Sequence, residues 1–94
     1  MNVKWTRTAL RNLDQEAEYI AKDDPGAARR TVERILHSVQ YLARHPAMGR
    51  PGRVLGTREL VVPRTPYLIP YRVRGNCVEI LRVFHGARRW PSEP

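Results

Sequence analysis

Between Asp24 and Pro46 the apolar residues Ala28, Val32, Ile35, Val39 and Leu42 recur at steps of four, three, four and three. That spacing lays one continuous stripe along a helix of 3.6 residues per turn. Both ends of the stripe are punctuated. Asp24 followed by Pro25 is an N-cap and first-turn pair, because the carboxylate accepts a free amide and the proline lacks an N–H where none is needed. Pro46 forbids continuation at the other end. The opposite face carries Arg29, Arg30, Glu33, Arg34 and His37, the make-up of a solvated surface, so the apolar stripe must be covered by the rest of the chain.

A second stripe precedes it. Leu10, Leu13, Ala17 and Ile20 are separated by three, four and three residues, and Thr6 or Thr8 offers a hydroxyl to cap the start. Asp14, Glu16 and Glu18 lie on the other sides of this first helix and form an acidic patch in a basic chain. Asp23, Asp24, Pro25 and Gly26 break the two helices apart, and a helical hairpin is expected. Ahead of both, Val3 and Trp5 alternate with polar residues, as in a half-buried strand.

From Pro46 to Thr57 the sequence PAMGRPGRVLGT has the prolines and glycines of a surface loop. Long loops in small domains often carry function, which makes Arg50 and Arg53 candidates for a contact surface. Three strand-like runs follow, 58–62, 67–73 and 77–84. Gly75-Asn76 between the last two favours a tight hairpin, and the three runs should form an antiparallel meander. Pro70 disagrees with its surroundings, since it cannot donate a ladder hydrogen bond, and requires either a sheet edge or a bulge. The expected fold is a single two-layer α+β domain over residues 1–94, ordered β-α-α-β-β-β. Its helical hairpin packs on a small, twisted, largely antiparallel sheet.

Charge narrows the range of partners. Lys and Arg number 17 against 9 Asp and Glu, and all of the cations except Lys4 and Lys22 are arginines. The planar guanidinium binds carboxylates and phosphates in bidentate fashion, which suits nucleic acid or an acidic protein. Cys77 is the one cysteine and the N-terminal MNVKWTRTAL has no apolar run, so a cytoplasmic location is expected. No apolar stretch approaches the roughly 20 residues of a membrane span, and no membrane role is expected.

Most enzyme signatures are absent. There is no glycine-rich phosphate loop and no nucleophile elbow. His37, His45, His85 and Cys77 lack metal-ligand spacing, so no metal and no cofactor is expected. One chemistry is compatible with the composition. RNA cleavage by a 2′-hydroxyl needs a base, an acid and cations to stabilise the phosphorane, and no metal. Glu59, Tyr71, Arg72, Arg82, His85, Arg88 and Arg89 are the right types, with His85 the best acid or base because histidine titrates near neutrality. Simple alternation sets Glu79, Leu81, Val83 and His85 on one face of the last strand and Val78, Ile80, Arg82 and Phe84 on the other. Arg82 and His85 would then point apart unless a bulge changes the phase.

The order of elements, with YLIPYRV and then VEILRVFHGARRWP, resembles the RelE/ParE family of small bacterial toxins from type II toxin-antitoxin systems. The resemblance covers nearly the whole chain. It rests on the helical hairpin followed by Pro46, the Tyr71-Arg72-Val73 strand, and Leu81-Arg82-Val83 leading into His85-Gly86 and Arg88. It implies a cognate antitoxin whose C-terminal segment wraps the toxin. The antitoxin's N-terminal part would bind operator DNA, so the toxin meets that DNA only indirectly. An arginine-rich face is a suitable dock for an acidic segment that folds on binding.

Two activities are known in that family. ParE-like members inhibit DNA gyrase, and RelE-like members cleave mRNA on the ribosome. Arg88 falls near the place of the RelE-type C-terminal arginine, and His85 could stand for a terminal acid or base; these two are the catalytic candidates under the endoribonuclease alternative. The arginine matching the start of the 67–73 run is missing, since Tyr67 and Leu68 occupy that area, and the loop before Arg58 has no lysine. The resemblance therefore implies a gyrase inhibitor, with target- or antitoxin-binding residues Arg50, Arg53, Arg72, Arg82, Arg88, Arg89 and Trp90. Arg88, Arg89 and Trp90 would form much of the target contact, since Arg and Trp anchor interfaces most often.

Overall fold

The helices form where the two apolar stripes place them. The computed structural model describes residues 1–87, and in it α1 spans Arg7–Ala21 and α2 spans Pro25–Leu42. Thr6 is the N-cap of α1, its hydroxyl accepting the Ala9 amide at 3.1 Å, and Asp24 caps α2 through the Ala27 amide at 3.0 Å. The stripe of α2 is buried through Ala28, Ile35, Val39 and Leu42. In α1 the buried line is Ala9 and Leu13, and Leu10 is 48% exposed, contrary to expectation. Ala9 and Leu13 are one helical turn apart and face the sheet, which leaves Leu10, one residue on, about 100° round the helix.

Beneath the hairpin lies one sheet. Its strands are β1 (Asn2–Trp5), β2 (Arg50–Pro51), β3 (Arg58–Val61), β4 (Tyr67–Arg74), β5 (Cys77–Ile80) and β6 (Phe84–His85), in the order β1-β5-β4-β3-β2, with β6 pairing β4. The meander of β3, β4 and β5 is antiparallel, as expected. Gly75 turns the corner between β4 and β5 with a positive φ of 59°, the requirement of a two-residue hairpin with glycine first. β1 runs parallel to β5, and the long connection a parallel pair requires is supplied by the two helices and the strands β2, β3 and β4.

The run expected as one strand over 77–84 is two. Tyr71 pairs with Ile80 and Leu68 with Phe84, so Ile69 and Pro70 face the three residues Leu81, Arg82 and Val83. This is a one-residue bulge, and Pro70 explains its position. Its carbonyl accepts the Leu81 amide at 2.9 Å, and its nitrogen, on the same side of the strand, has no hydrogen to return. The groups left over find partners on the first helix. The Thr6 hydroxyl lies 2.9 Å from the Ile80 carbonyl and 3.3 Å from that of Leu81, and Asn12 Oδ1 accepts the Val83 amide at 3.2 Å.

The bulge also resets which side chains share a face. Ile80 pairs with Tyr71 and His85 with Tyr67, and Tyr67 and Tyr71 are four residues apart on one strand, hence on one face. Ile80 and His85 therefore share a face although they differ by an odd number. Val83 joins Val78 and Ile80 in the core instead of standing opposite them. Fully buried Tyr71 shares one core with Ile35, Val39 and Leu42 from α2, and with Leu60, Ile69 and Ile80 from the sheet. Each such aliphatic side chain contributes about 1.5–3 kcal/mol when removed from water.

The connection after α2 is tied to the sheet rather than free. The Tyr71 hydroxyl accepts the Gly49 amide at 2.8 Å and donates to the Pro46 carbonyl at 2.8 Å. Arg58 Nη1 donates to the carbonyls of Gly49 at 2.8 Å and Ala47 at 3.3 Å. A Cβ on Gly49 would come within 2.6 Å of the Tyr71 ring and hydroxyl, a contact only glycine avoids. This anchoring lets β2 form inside what reads as a loop in the sequence.

Candidate binding surface

The nominated residues fall in separate places. Arg50, on β2, directs Nε to Glu59 Oε1 at 3.1 Å. Arg53 is exposed between β2 and β3. Arg72, on β4, is engaged by Glu79 across the ladder, Nε to Oε1 at 2.7 Å, and Arg74 approaches the same oxygen at 3.5 Å. The Arg72 hydrogen bond holds the Glu79 carboxyl below its ordinary value. Burial pushes the other way, and the charges of Arg72, Arg74 and Lys4 add to the lowering. Arg72 thus serves first as a partner of Glu79.

Arg82 sits within the bulge, half-buried, and its Nε is buried without a hydrogen-bond partner. His85 packs its ring edge-on against Tyr67 with centroids 5.4 Å apart, and its Nδ1 accepts the Ala87 amide at 3.2 Å. That acceptor role places the proton of the neutral ring on Nε2. No hydrogen bond, ion pair or ring contact joins Arg82 to His85 among the described residues. Arg88, Arg89 and Trp90 lie outside the described residues.

The other groups that suit RNA cleavage are committed to structure. Tyr71 is fully buried, burial pushes its hydroxyl above the ordinary phenol value, and both of its hydrogen-bonding roles are taken by Gly49 and Pro46. Glu59 is 4% exposed and engaged by Arg50. No group of three or more His, Cys, Asp or Glu side chains among the described residues could hold a metal ion. Likewise, no helix among them is long and apolar enough to cross a membrane.

A feature that sequence reasoning did not find is a cleft of about 460 Å³ between α2 and the edge formed by β2 and β3. Tyr41, Met48, Leu60, Val61 and Pro63 give it apolar walls, and Glu59 and Arg50 line it as well. Tyr41 stacks on His45 with centroids 4.4 Å apart. The signal in the sequence is the pair of large apolar residues, Tyr41 and Met48, at positions that the helical stripe leaves exposed.

The architecture is a small sheet covered on one side by a capped helical hairpin, in a chain rich in arginine. Comparison with known proteins defines the family. Residues 3–90 match the family model described as the ParE toxin of the type II toxin-antitoxin system, parDE. A protein of Sinorhizobium fredii named "Putative toxin Y4kP" is 54% identical over 90 residues, covering 96% of this chain and 93% of that one. Toxin RelE2 of Caulobacter vibrioides is 37% identical over 86 residues, covering 92% and 96%. A solved structure titled "Chromosomal ParDE TA system from P. aeruginosa" superposes with a TM-score of 0.81 at 35% identity, covering 90% of this chain and 95% of that one. The chain belongs to the RelE/ParE family and is a type II toxin-antitoxin toxin with the ParE fold. Membership implies a cognate antitoxin as partner.

Proposed function

We propose that this toxin arrests growth by inhibiting DNA gyrase in the bacterial cytoplasm, and that its cognate antitoxin neutralises it. The observation that carries the reading is the disposition of the groups RNA cleavage would require. Glu59 is held by Arg50, Tyr71 by Gly49 and Pro46, and Arg72 by Glu79, while His85 and Arg82 are not joined. A cation missing from the reacting phosphate costs several kcal/mol of transition-state stabilisation, so a scattered set supports binding over catalysis. The match to the ParE model along residues 3–90 supports the same side.

On this reading Arg88, Arg89 and Trp90 form the main gyrase contact. Arg50, Arg53, Arg72 and Arg82 contribute to the surface that meets target or antitoxin. Purified protein added to gyrase should block supercoiling of relaxed plasmid, and Trp90→Ala should relieve the block. Full supercoiling at micromolar excess of the wild-type protein would sink the proposal.

The relatives named RelE favour a second reading, a ribosome-dependent endoribonuclease using His85 and Arg88. Primer extension on transcripts from induced cells separates the two. Codon-biased cuts that vanish in His85→Ala would establish cleavage, and intact transcripts during growth arrest would exclude it.

A further inference from the structure

The cleft between α2 and the edge formed by β2 and β3 contains a chemical mismatch. Glu59 is the only buried charged residue among those described, at 4% exposure, and it lines the cleft. Its Oε1 is bonded to Arg50, while its Oε2 is buried with no hydrogen-bond partner. Buried carboxylate oxygens are almost always paired, because an unpaired one loses its hydration and gains nothing in exchange. The walls of the cleft are largely apolar, and Tyr41, Met48 and Val61 in its lining are 47%, 44% and 49% exposed.

An occupant would thus meet apolar walls and, where the cover over Glu59 moves aside, a single carboxylate. The side chain with that profile has an apolar stem and a cationic head. Arginine fits better than lysine, since its planar fork can engage both carboxylate oxygens at once. Arg50 covers the carboxylate now, but its side chain is 57% exposed. Glu59 is too buried to be left uncompensated, but the solvated Arg50 side chain can swing into water when a second cation takes its place on the carboxylate.

We propose that this cleft receives an arginine side chain from a partner protein, with Glu59 accepting its guanidinium and Arg50 acting as a displaceable cover. The partner is the cognate antitoxin, and in that respect the inference rests on the toxin reading. The chain carries a net charge of +8, so an acidic antitoxin is attracted over the whole surface. A single arginine seated on the one buried acid would fix its register, as charge complementarity does at specific interfaces.

The test needs no partner at first. N-acetyl-arginine amide and its uncharged isostere N-acetyl-citrulline amide are titrated into the protein while the backbone amide signals of Met48, Leu60 and Val61 are followed. The arginine probe should give saturable shifts, and the citrulline probe should bind at least about tenfold more weakly, the difference expected of one charge-assisted hydrogen bond. Glu59→Gln should lose that preference. Arg50→Ala, with its fold checked by a thermal melt because it uncovers the buried Glu59, should strengthen arginine binding severalfold by removing the competitor. In complex with the antitoxin, Glu59→Gln should raise the dissociation rate by about tenfold. Absent shifts, equal response to the two probes, weaker binding in Arg50→Ala, or an unchanged dissociation rate would each overturn the assignment. A wild-type protein that fails to arrest growth counts against the toxin reading alone, because the probe titrations remain readable.

Discussion

Pro70 and Leu81 share one hydrogen bond, from the Leu81 amide to the Pro70 carbonyl at 2.9 Å, and the bond that a regular ladder would return is missing. The bulge at Leu81, Arg82 and Val83 follows from that single absent hydrogen, and so does the placement of Val83 in the core and of His85 against Tyr67.

Replacing Pro70 by valine supplies an N–H at a buried position where the bulge has removed its acceptor. A buried donor without a partner costs about 1–3 kcal/mol. Urea unfolding of Pro70→Val should show a lower midpoint with an unchanged slope, and a wild-type midpoint would mean that the strand has re-registered without loss.

Tyr71→Phe removes the hydroxyl that holds both Gly49 and Pro46. The loss should be about 1–3 kcal/mol, with faster hydrogen exchange at the Gly49 amide. Because burial raises the Tyr71 pKa, folded protein keeps this proton after the unfolded chain has released it. The associated stability is complete below the unfolded value of about 10 and declines as pH rises through the folded one. Thermal melts at alkaline pH should therefore fall less steeply in Tyr71→Phe.

Thr6 does two jobs with one hydroxyl, capping α1 at Ala9 and meeting the carbonyls of Ile80 and Leu81. Thr6→Val keeps the shape and removes both, and should cost about 1–2 kcal/mol. Thr6→Ser should recover most of that. Chemical denaturation of the two variants side by side checks the claim.

Glu79 titrates in the opposite sense from Tyr71. With its carboxyl held low by the Arg72 hydrogen bond, the folded protein gives up this proton more readily than the unfolded chain. The contribution is present in full above the unfolded value and is lost as pH falls through the folded one. Glu79→Gln should flatten the acid side of a stability-against-pH curve measured by denaturation. An acid limb identical to the wild type would remove Glu79 from the account.

How much of the fold is legible in the sequence depends on the range of the forces involved. The helix Pro25–Leu42 is written into one local pattern of apolar spacing with a cap at one end and a proline beyond the other, and strands β3 and β4 fall within a residue of the runs that mark them. The parting of β5 from β6 is not legible there, because it depends on Pro70 opposite, a residue of another strand. β2 is only Arg50–Pro51, too short for any period, and exists because Tyr71 and Arg58 pin the loop from far along the chain. The basic residues are plain in the sequence, but the unpaired oxygen of Glu59 depends on which atom Arg50 reaches, and that is a matter of side-chain geometry.

The parallel pairing of β1 with β5 has a consequence in time. β1 is made before any strand it will touch, and the Thr6 hydroxyl waits for the carbonyl of Ile80, 74 positions later. Such non-local closure is slow, because the entropy of a long loop must be surrendered before the contact rewards it. On a ribosome the growing chain is an unfinished sheet until β6, at Phe84–His85, has emerged.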